Sequence, residues 1–260
     1  MSDAELLHHV EDGVGLITFN RPAARNALTF GMYEGLAEIC AAVPTDGSVR
    51  SLVLSGAGGK AFAAGTDMTQ FRAFEAKEDA WAYEARLDRV FDAVERCPVP
   101  TIAAINGACT GGGAGIAAAC DLRVASASLK FGMPIARTLG NCLSIGTLSR
   151  MAALIGAGAT RELIFTARLV LADEALDRGL VSAVLPDEEA LMAHARELAT
   201  TLAGHAPLTL RATKEGLRRL RVDGPQADGK DLIADCYMSA DFKEGLEAFL
   251  GKRPPHWTGR

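Results

Sequence analysis

The stretch Ile105-Asn-Gly-Ala-Cys-Thr-Gly-Gly-Gly-Ala-Gly-Ile-Ala-Ala-Ala-Cys-Asp121 constrains the fold more than any other part of this chain. Before it, Pro98-Val-Pro-Thr-Ile-Ala-Ala-Ile105 is a short apolar run that reads as a buried strand, and after the glycines Ile116 to Cys120 read as a helix start. Three consecutive glycines, Gly111, Gly112 and Gly113, cost backbone entropy. They make sense where the chain bends sharply or where something packs in the place of a Cβ. The free N–H groups of the helix start carry about half a positive charge and point out of the turn. Such a bend can hold an anion, or an oxygen that becomes one.

A chain of 260 residues, 49% hydrophobic, is long enough to bury one main core with a helical appendage. Lys and Arg number 27 against 32 Asp and Glu, giving a net charge of −5. With no long basic run, nucleic acid is not the expected partner. The six cysteines, Cys40, Cys97, Cys109, Cys120, Cys142 and Cys236, form no Cys-x-x-Cys pair, so neither a zinc site nor a disulfide framework is indicated. They read as reduced thiols of a cytoplasmic protein. The N-terminus lacks a signal-peptide pattern and no apolar run reaches membrane-spanning length, so no membrane association is expected.

Taken in order, Val10 to Phe19 reads as a hairpin turning at Glu11-Asp12-Gly13. Thr29 is a plausible N-cap of a helix with Met32, Leu36, Ile39 and Cys40 on one face. Val49 to Leu54 is a second buried strand, and Ala61 to Gly65 should carry the chain into another helix. Leu87, Val90, Phe91 and Val94 recur at helical spacing within 79–95. Leu122 to Ala125 and Leu129 to Phe131 read as short strands, and from Gly146 the pattern is helical almost to the end, with an Asp187 cap before Leu191, Ala195, Leu198 and Leu202. The expected division is a sheet-bearing core over residues 1–195 and a helical region over 196–260. Two nucleotide motifs fail. Gly56-Ala-Gly-Gly-Lys60 lacks the first glycine and the final Ser or Thr of a phosphate loop, and Gly111-Gly-Gly113 lacks the last glycine of a dinucleotide fingerprint.

Four stretches together resemble the crotonase superfamily of enoyl-CoA hydratase and isomerase relatives. They are Asn20-Arg-Pro-Ala-Ala-Arg-Asn-Ala-Leu28, Lys60-Ala-Phe-Ala-Ala-Gly-Thr-Asp-Met68, Asn106 to Ala125, and Ser239 to Arg253. The resemblance implies an α/β fold, a crotonase-like spiral of ββα units, with a C-terminal helical region that builds a homotrimer or a dimer of trimers. It implies a lyase or isomerase of fatty acid metabolism acting on acyl-CoA, with coenzyme A as part of the substrate and no permanently bound cofactor. The thioester carbonyl oxygen would sit in an oxyanion hole between the backbone N–H groups of Thr66 and Gly112, each worth about 3 kcal/mol to a developing charge. Coenzyme A contacts carry over to Ala24, Arg25, Ala27, Ala64, Asp67 and Gly111. Arg25 either meets a CoA phosphate or is a solvated surface arginine; Asp67 either serves the site or caps the next helix.

The chain departs from this pattern where the hydratases carry two glutamates, because those positions read Gly115 and Ile135. A positioned acid or base contributes about 10²- to 10⁴-fold, so ordinary hydration should be weak. Pro134, Ile135, Leu139 and Leu143, with Gly115, are the expected acyl pocket. Cys142, following Gly140-Asn141, is either a nucleophile or a buried structural cysteine, and with Asn141 it could orient water. Arg137, Glu162, Glu174 and Glu244 are further polar candidates. Two readings remain open: an enzyme in which some polar side chain faces the acyl pocket, and an acyl-CoA-binding or scaffold protein whose pocket is apolar throughout.

Overall fold

A computed structural model describes residues 4–260. Strands β1 (Leu6–Glu11) and β2 (Val14–Phe19) form the hairpin, and helix α1 (Phe30–Ala41) follows, capped by Thr29, whose hydroxyl accepts from the Met32 amide. Then come β3 (Ser51–Gly56), β4 (Ala61–Ala64), a 3₁₀ turn over Met68–Ala73, and α2 (Lys77–Glu95). The glycine-rich region supplies β5 (Thr101–Ile105), β6 (Ala108–Thr110) and α3 (Gly112–Ala119), followed by β7 (Leu122–Ser126), β8 (Lys130–Gly132) and the short α4 (Ile135–Thr138). Helix α5 (Ile145–Thr166), β9 (Val170–Leu171), α6 (Ala172–Asp177) and β10 (Val184–Leu185) lead to α7 (Glu188–Ala203). The chain closes with α8 (Pro207–Asp223), α9 (Lys230–Tyr237) and α10 (Ala240–Leu250).

The strands form two sheets, ordered β1-β2-β3-β5-β7-β10 and β4-β6-β8-β9. Successive strand pairs divide between them: β3, β5 and β7 enter the large sheet, and β4, β6 and β8 enter the small one. This division generates the spiral of ββα units. Apart from the β1–β2 and β8–β9 pairs, all the ladders are parallel. Strands covered on both faces should be largely apolar, and β2, β3 and β5 are, with Thr18, Ser51, Ser55 and Thr101 as the polar positions.

Period-two alternation sorts the side chains of those strands into two cores. Ile17, Leu52, Leu54, Ala103 and Ile105 face α1, α2 and α3, whereas Leu16, Val53, Ile102, Ala104 and Val124 face Leu191, Ala195 and Ala199 of α7. Helix α7 is therefore one continuous cover for the large sheet, running unbroken through position 195 to Ala203.

Three expectations need correction. Ala61 to Gly65 does not open a helix: Ala61–Ala64 is β4, because its buried Ala61, Phe62 and Ala63 pair beside β6, and the 3₁₀ turn begins only after Asp67. Strand β6 lies inside the glycine stretch, where three small residues carry no periodic signal. The region after Gly146 is not uniformly helical, since the two-residue strands β9 and β10 interrupt it and Gly156, at φ 81°, kinks α5.

Asn26 holds the 21–27 loop against the base of the small sheet. Fully buried, it donates from Nδ2 to the Ala57 and Ala61 carbonyls at 2.9 and 2.7 Å and accepts from the Arg21 amide at 2.9 Å. Replacing it by alanine removes the partner of three backbone groups, of which the buried Ala61 carbonyl costs about 1–3 kcal/mol to leave unpaired and the part-buried Ala57 and Arg21 groups less. Asn26→Ala should therefore lower the urea midpoint of unfolding by an amount equivalent to at least about 2 kcal/mol.

Candidate active site

Two bends meet at the edge of the small sheet. The β4–β6 register pairs Ala64 with Thr110, which brings Gly65 (φ 97°) and Gly111 (φ 53°) side by side one residue further on. A Cβ on Gly111 would lie 3.4 Å from the Gly65 Cα. Both glycines hold left-handed backbone that other residues adopt at a cost. In the bridge between Leu28 and Thr66, Gly65 O and Asp67 N bond to Leu28, so the Thr66 N–H turns away from that strand. Gly112 is the first residue of α3, where the helix ladder leaves the N–H free.

Side chains lock this corner. The Thr66 hydroxyl sits between the phenols of Tyr33, at 2.9 Å, and Tyr83, at 2.7 Å. Burial pushes the Tyr83 phenol up to about 12 and that of Tyr33 higher still, so both remain neutral hydrogen-bonding groups at ordinary pH. A Cβ on Gly112 would come within 1.8 Å of the Tyr33 Oη, so glycine is required there for space as well as for the turn.

Thr66 and Gly112 both line one cavity of about 480 Å³. Ala64, Gly111, Pro134 and Ile135 line it, as do Leu139, Asn141 and Leu143. Gly115 does not. A side chain there would run into the Phe91 ring, 2.4 Å from an added Cβ, and Phe91 itself forms that part of the wall. Cys142 is exposed and is not a lining residue, which removes the buried-cysteine reading. Arg137 is exposed on α4 and also absent from the lining.

The remaining candidates lie elsewhere. Asp67 caps the 3₁₀ turn by accepting from the Thr69 hydroxyl and amide, and it pairs with Arg21 at 2.9 Å; these contacts hold its carboxyl below the usual range. Ala24 and Arg25 are exposed and Ala27 half-buried, with the loop joined to the small sheet where the Ala64 amide donates to the Arg25 carbonyl at 3.1 Å. Glu162 and Glu174 bind Arg168 and Arg178, and Glu244 binds Arg253. None of these three lines the cavity.

Sequence reasoning missed Glu84. It lies on α2 beside Tyr83, about one turn before Leu87 and two before Phe91, all of which line the cavity. Its carboxylate accepts from the Ser144 amide at 3.1 Å, and burial, with Asp88 one turn on, raises its pKa above the ordinary glutamate value of 4.5. Helical periodicity in 79–95 marked the apolar face but could not say that a neighbouring position is drawn into the wall.

A spiral of two sheets with a pair of glycine-turn amides at a largely apolar cavity defines a protein of the crotonase fold. Residues 9–260 match the family model described as enoyl-CoA hydratase/isomerase. The short-chain-enoyl-CoA hydratase of Clostridium acetobutylicum is 34% identical over 246 residues, covering 94% of this chain and 93% of that protein. The human mitochondrial Delta(3,5)-Delta(2,4)-dienoyl-CoA isomerase is 35% identical over 234 residues, covering 86% of this chain and 70% of that protein. The crystal structure of an enoyl-CoA hydratase/carnithine racemase from Magnetospirillum magneticum superposes with a TM-score of 0.89 at 35% identity, covering 100% of this chain and 97% of that one. The chain belongs to the enoyl-CoA hydratase/isomerase family.

Two outcomes follow from this geometry. Gly115→Ala forces a methyl into the Phe91 ring and should lower the thermal midpoint by an amount equivalent to about 1–3 kcal/mol, read by calorimetry. The raised pKa of Glu84 means that the folded state holds its proton more tightly than the unfolded chain, so its destabilising contribution is absent below the unfolded value and grows as pH rises through the folded one. Glu84→Gln should therefore be more stable than the parent at pH 8, with the difference shrinking toward pH 4 in urea titrations.

Proposed function

We propose that this protein acts on an acyl-CoA thioester whose carbonyl oxygen sits between the N–H groups of Thr66 and Gly112. The observation that supports the reading is the close approach of the Gly65 and Gly111 bends, with the residue after each, Thr66 and Gly112, lining the same cavity. Negative charge gathering on the thioester oxygen as an enolate forms is stabilised by such donors by about 3 kcal/mol each. The α3 dipole adds to this. Relatives named as hydratases and as a dienoyl-CoA isomerase support enolate chemistry on CoA thioesters.

The acyl chain extends past Pro134, Ile135, Leu139 and Leu143, and the CoA moiety leaves over the Ala24–Ala27 loop beside Ala64, with Arg25 free to meet a phosphate. No permanently bound cofactor is needed. Ordinary hydration is weak, because Gly115 and Ile135 can neither take nor give a proton. The same two residues favour a second reading, an acyl-CoA-holding protein without turnover. Exposed Leu217, Leu220, Ile233, Tyr237, Phe249 and Leu250 on α8, α9 and α10 support assembly as a trimer or a dimer of trimers, and free thiols suit the cytoplasm.

Calorimetric titration with butyryl-CoA should show binding, and crotonyl-CoA hydration should run at least about 100-fold below the rate of the Clostridium acetobutylicum hydratase. No binding would overturn the acyl-CoA reading, and a comparable hydration rate would overturn the weak-hydratase reading. Light scattering should give a mass three or six times that of the chain, and Phe249→Asp combined with Ile233→Asp should reduce it to that of one chain.

A further inference from the structure

We infer that Glu84, carried on α2, is the catalytic acid–base of this cavity, moving a proton between two carbons of the bound acyl chain. The inference rests on the acyl-CoA reading above. Among the described residues lining the cavity, Glu84 is the one with a carboxylate, and there is no Asp, His, Lys, Arg or Cys beside it. Its Oε2 accepts from the Ser144 amide at 3.1 Å, which fixes the carboxyl at the start of α5, and no other hydrogen bond among the described residues occupies Oε1. The side chain is one helix position from Tyr83, whose phenol contacts the Thr66 hydroxyl at 2.7 Å. The carboxyl and the amide pair therefore border the same space.

The groups around Glu84 suit it to carry a proton. Asp88 stands one turn along α2 and opposes ionisation of Glu84, while Arg150 from α5, 3.6 Å from Asp88, is directed to Asp88, Asp92 and Glu95 rather than to Glu84. Ser144 donates hydrogen bonds to both carboxyls, from its hydroxyl to Asp88 at 2.7 Å and from its amide to Glu84 at 3.1 Å. Glu84 thus lacks a cation that would hold it permanently ionised, and it titrates nearer neutrality than a solvated carboxylate.

A single carboxyl selects the reaction. As carboxylate, Glu84 takes a proton from C2 of a 3-enoyl thioester. The C–H electron pair becomes the C1–C2 double bond of a dienolate, and the carbonyl electrons move to the oxygen held by the two amides. The resulting carboxylic acid gives that proton to C4: the C3–C4 π pair forms the new C4–H bond, the C1–C2 π pair becomes the C2–C3 double bond, the oxygen's charge re-forms the carbonyl, and Glu84 is left as carboxylate again. Atoms and charge balance with no water and no cofactor. Adding water instead requires a second group to activate it, and the positions that would hold one are Gly115 and Ile135.

The test uses the full-length protein with two probes: 3-hexenoyl-CoA, followed by conjugation of the double bond, and butyryl-CoA in heavy water, followed by NMR for deuterium at C2. The parent should move the double bond and exchange C2 protons. Glu84→Gln should lose both by about 100-fold or more while its Kd for butyryl-CoA changes less than about threefold. Glu84→Asp should recover part of the rate, and the rise of kcat with pH that titrates Glu84 in the parent should be missing from Glu84→Gln. Glu162→Gln, remote from the cavity, should match the parent. Full exchange by Glu84→Gln, loss of binding in step with loss of rate, or a parent that binds the thioester but exchanges nothing would each overturn the inference while leaving thioester binding intact as a question. A parent that binds no CoA thioester would instead overturn the acyl-CoA reading itself.

Discussion

The contact between the Gly65 and Gly111 bends is the constraint on which the candidate site depends. Two main-chain donors can share one target only if their backbones approach closely, and the parallel β4–β6 register delivers that approach one residue beyond its last pair. Side chains then hold what the backbone has set. Thr66 is fixed by two phenols, the 21–27 loop is fixed by Asn26, and Asp67 closes the following turn. None of these groups needs to reach a ligand to matter.

Space removed at two glycines is filled from other elements. Tyr33 occupies the direction a Cβ on Gly112 would take, and Phe91 occupies that of Gly115. The second exchange has chemical weight, since a ring from α2 closes the part of the wall from which an acidic side chain on α3 would otherwise project. The carboxyl function present in the cavity comes from the same helix as that ring. The ring that fills the space at Gly115 and the carboxyl that borders the cavity are thus both carried by α2.

Much of the fold was legible because buried parallel strands are largely apolar and amphipathic helices repeat every 3.6 residues, as in β2, β3, β5, α2 and α7. Short strands such as β6, β9 and β10 escaped because two or three residues hold no period. The family resemblance points to Thr66 and Gly112, and the glycine turns beside them are legible because their backbone demands are written in residue type. Glu84 was not found, since a glutamate on a helix is ordinarily solvated and only the tertiary fold brings it against Ser144. Cys142 drew attention by its place in the chain, yet the turn at Gly140, with φ 71°, leaves it in solvent.

Helix α2 has a further property that follows from its two faces. One lines the cavity with Tyr83, Glu84, Leu87 and Phe91; the C-terminal end holds Asp92 and Glu95, gripped by Arg150 of α5 and Arg221 of α8. Lys214 of α8 reaches beneath it to the Val94 and Val99 carbonyls and to Asp121 at 2.6 Å. The helix is thus tied at its C-terminal end into a charge cluster shared with α5 and α8 while its other turns line the cavity, so ion pairs outside the cavity help to set the position of its wall.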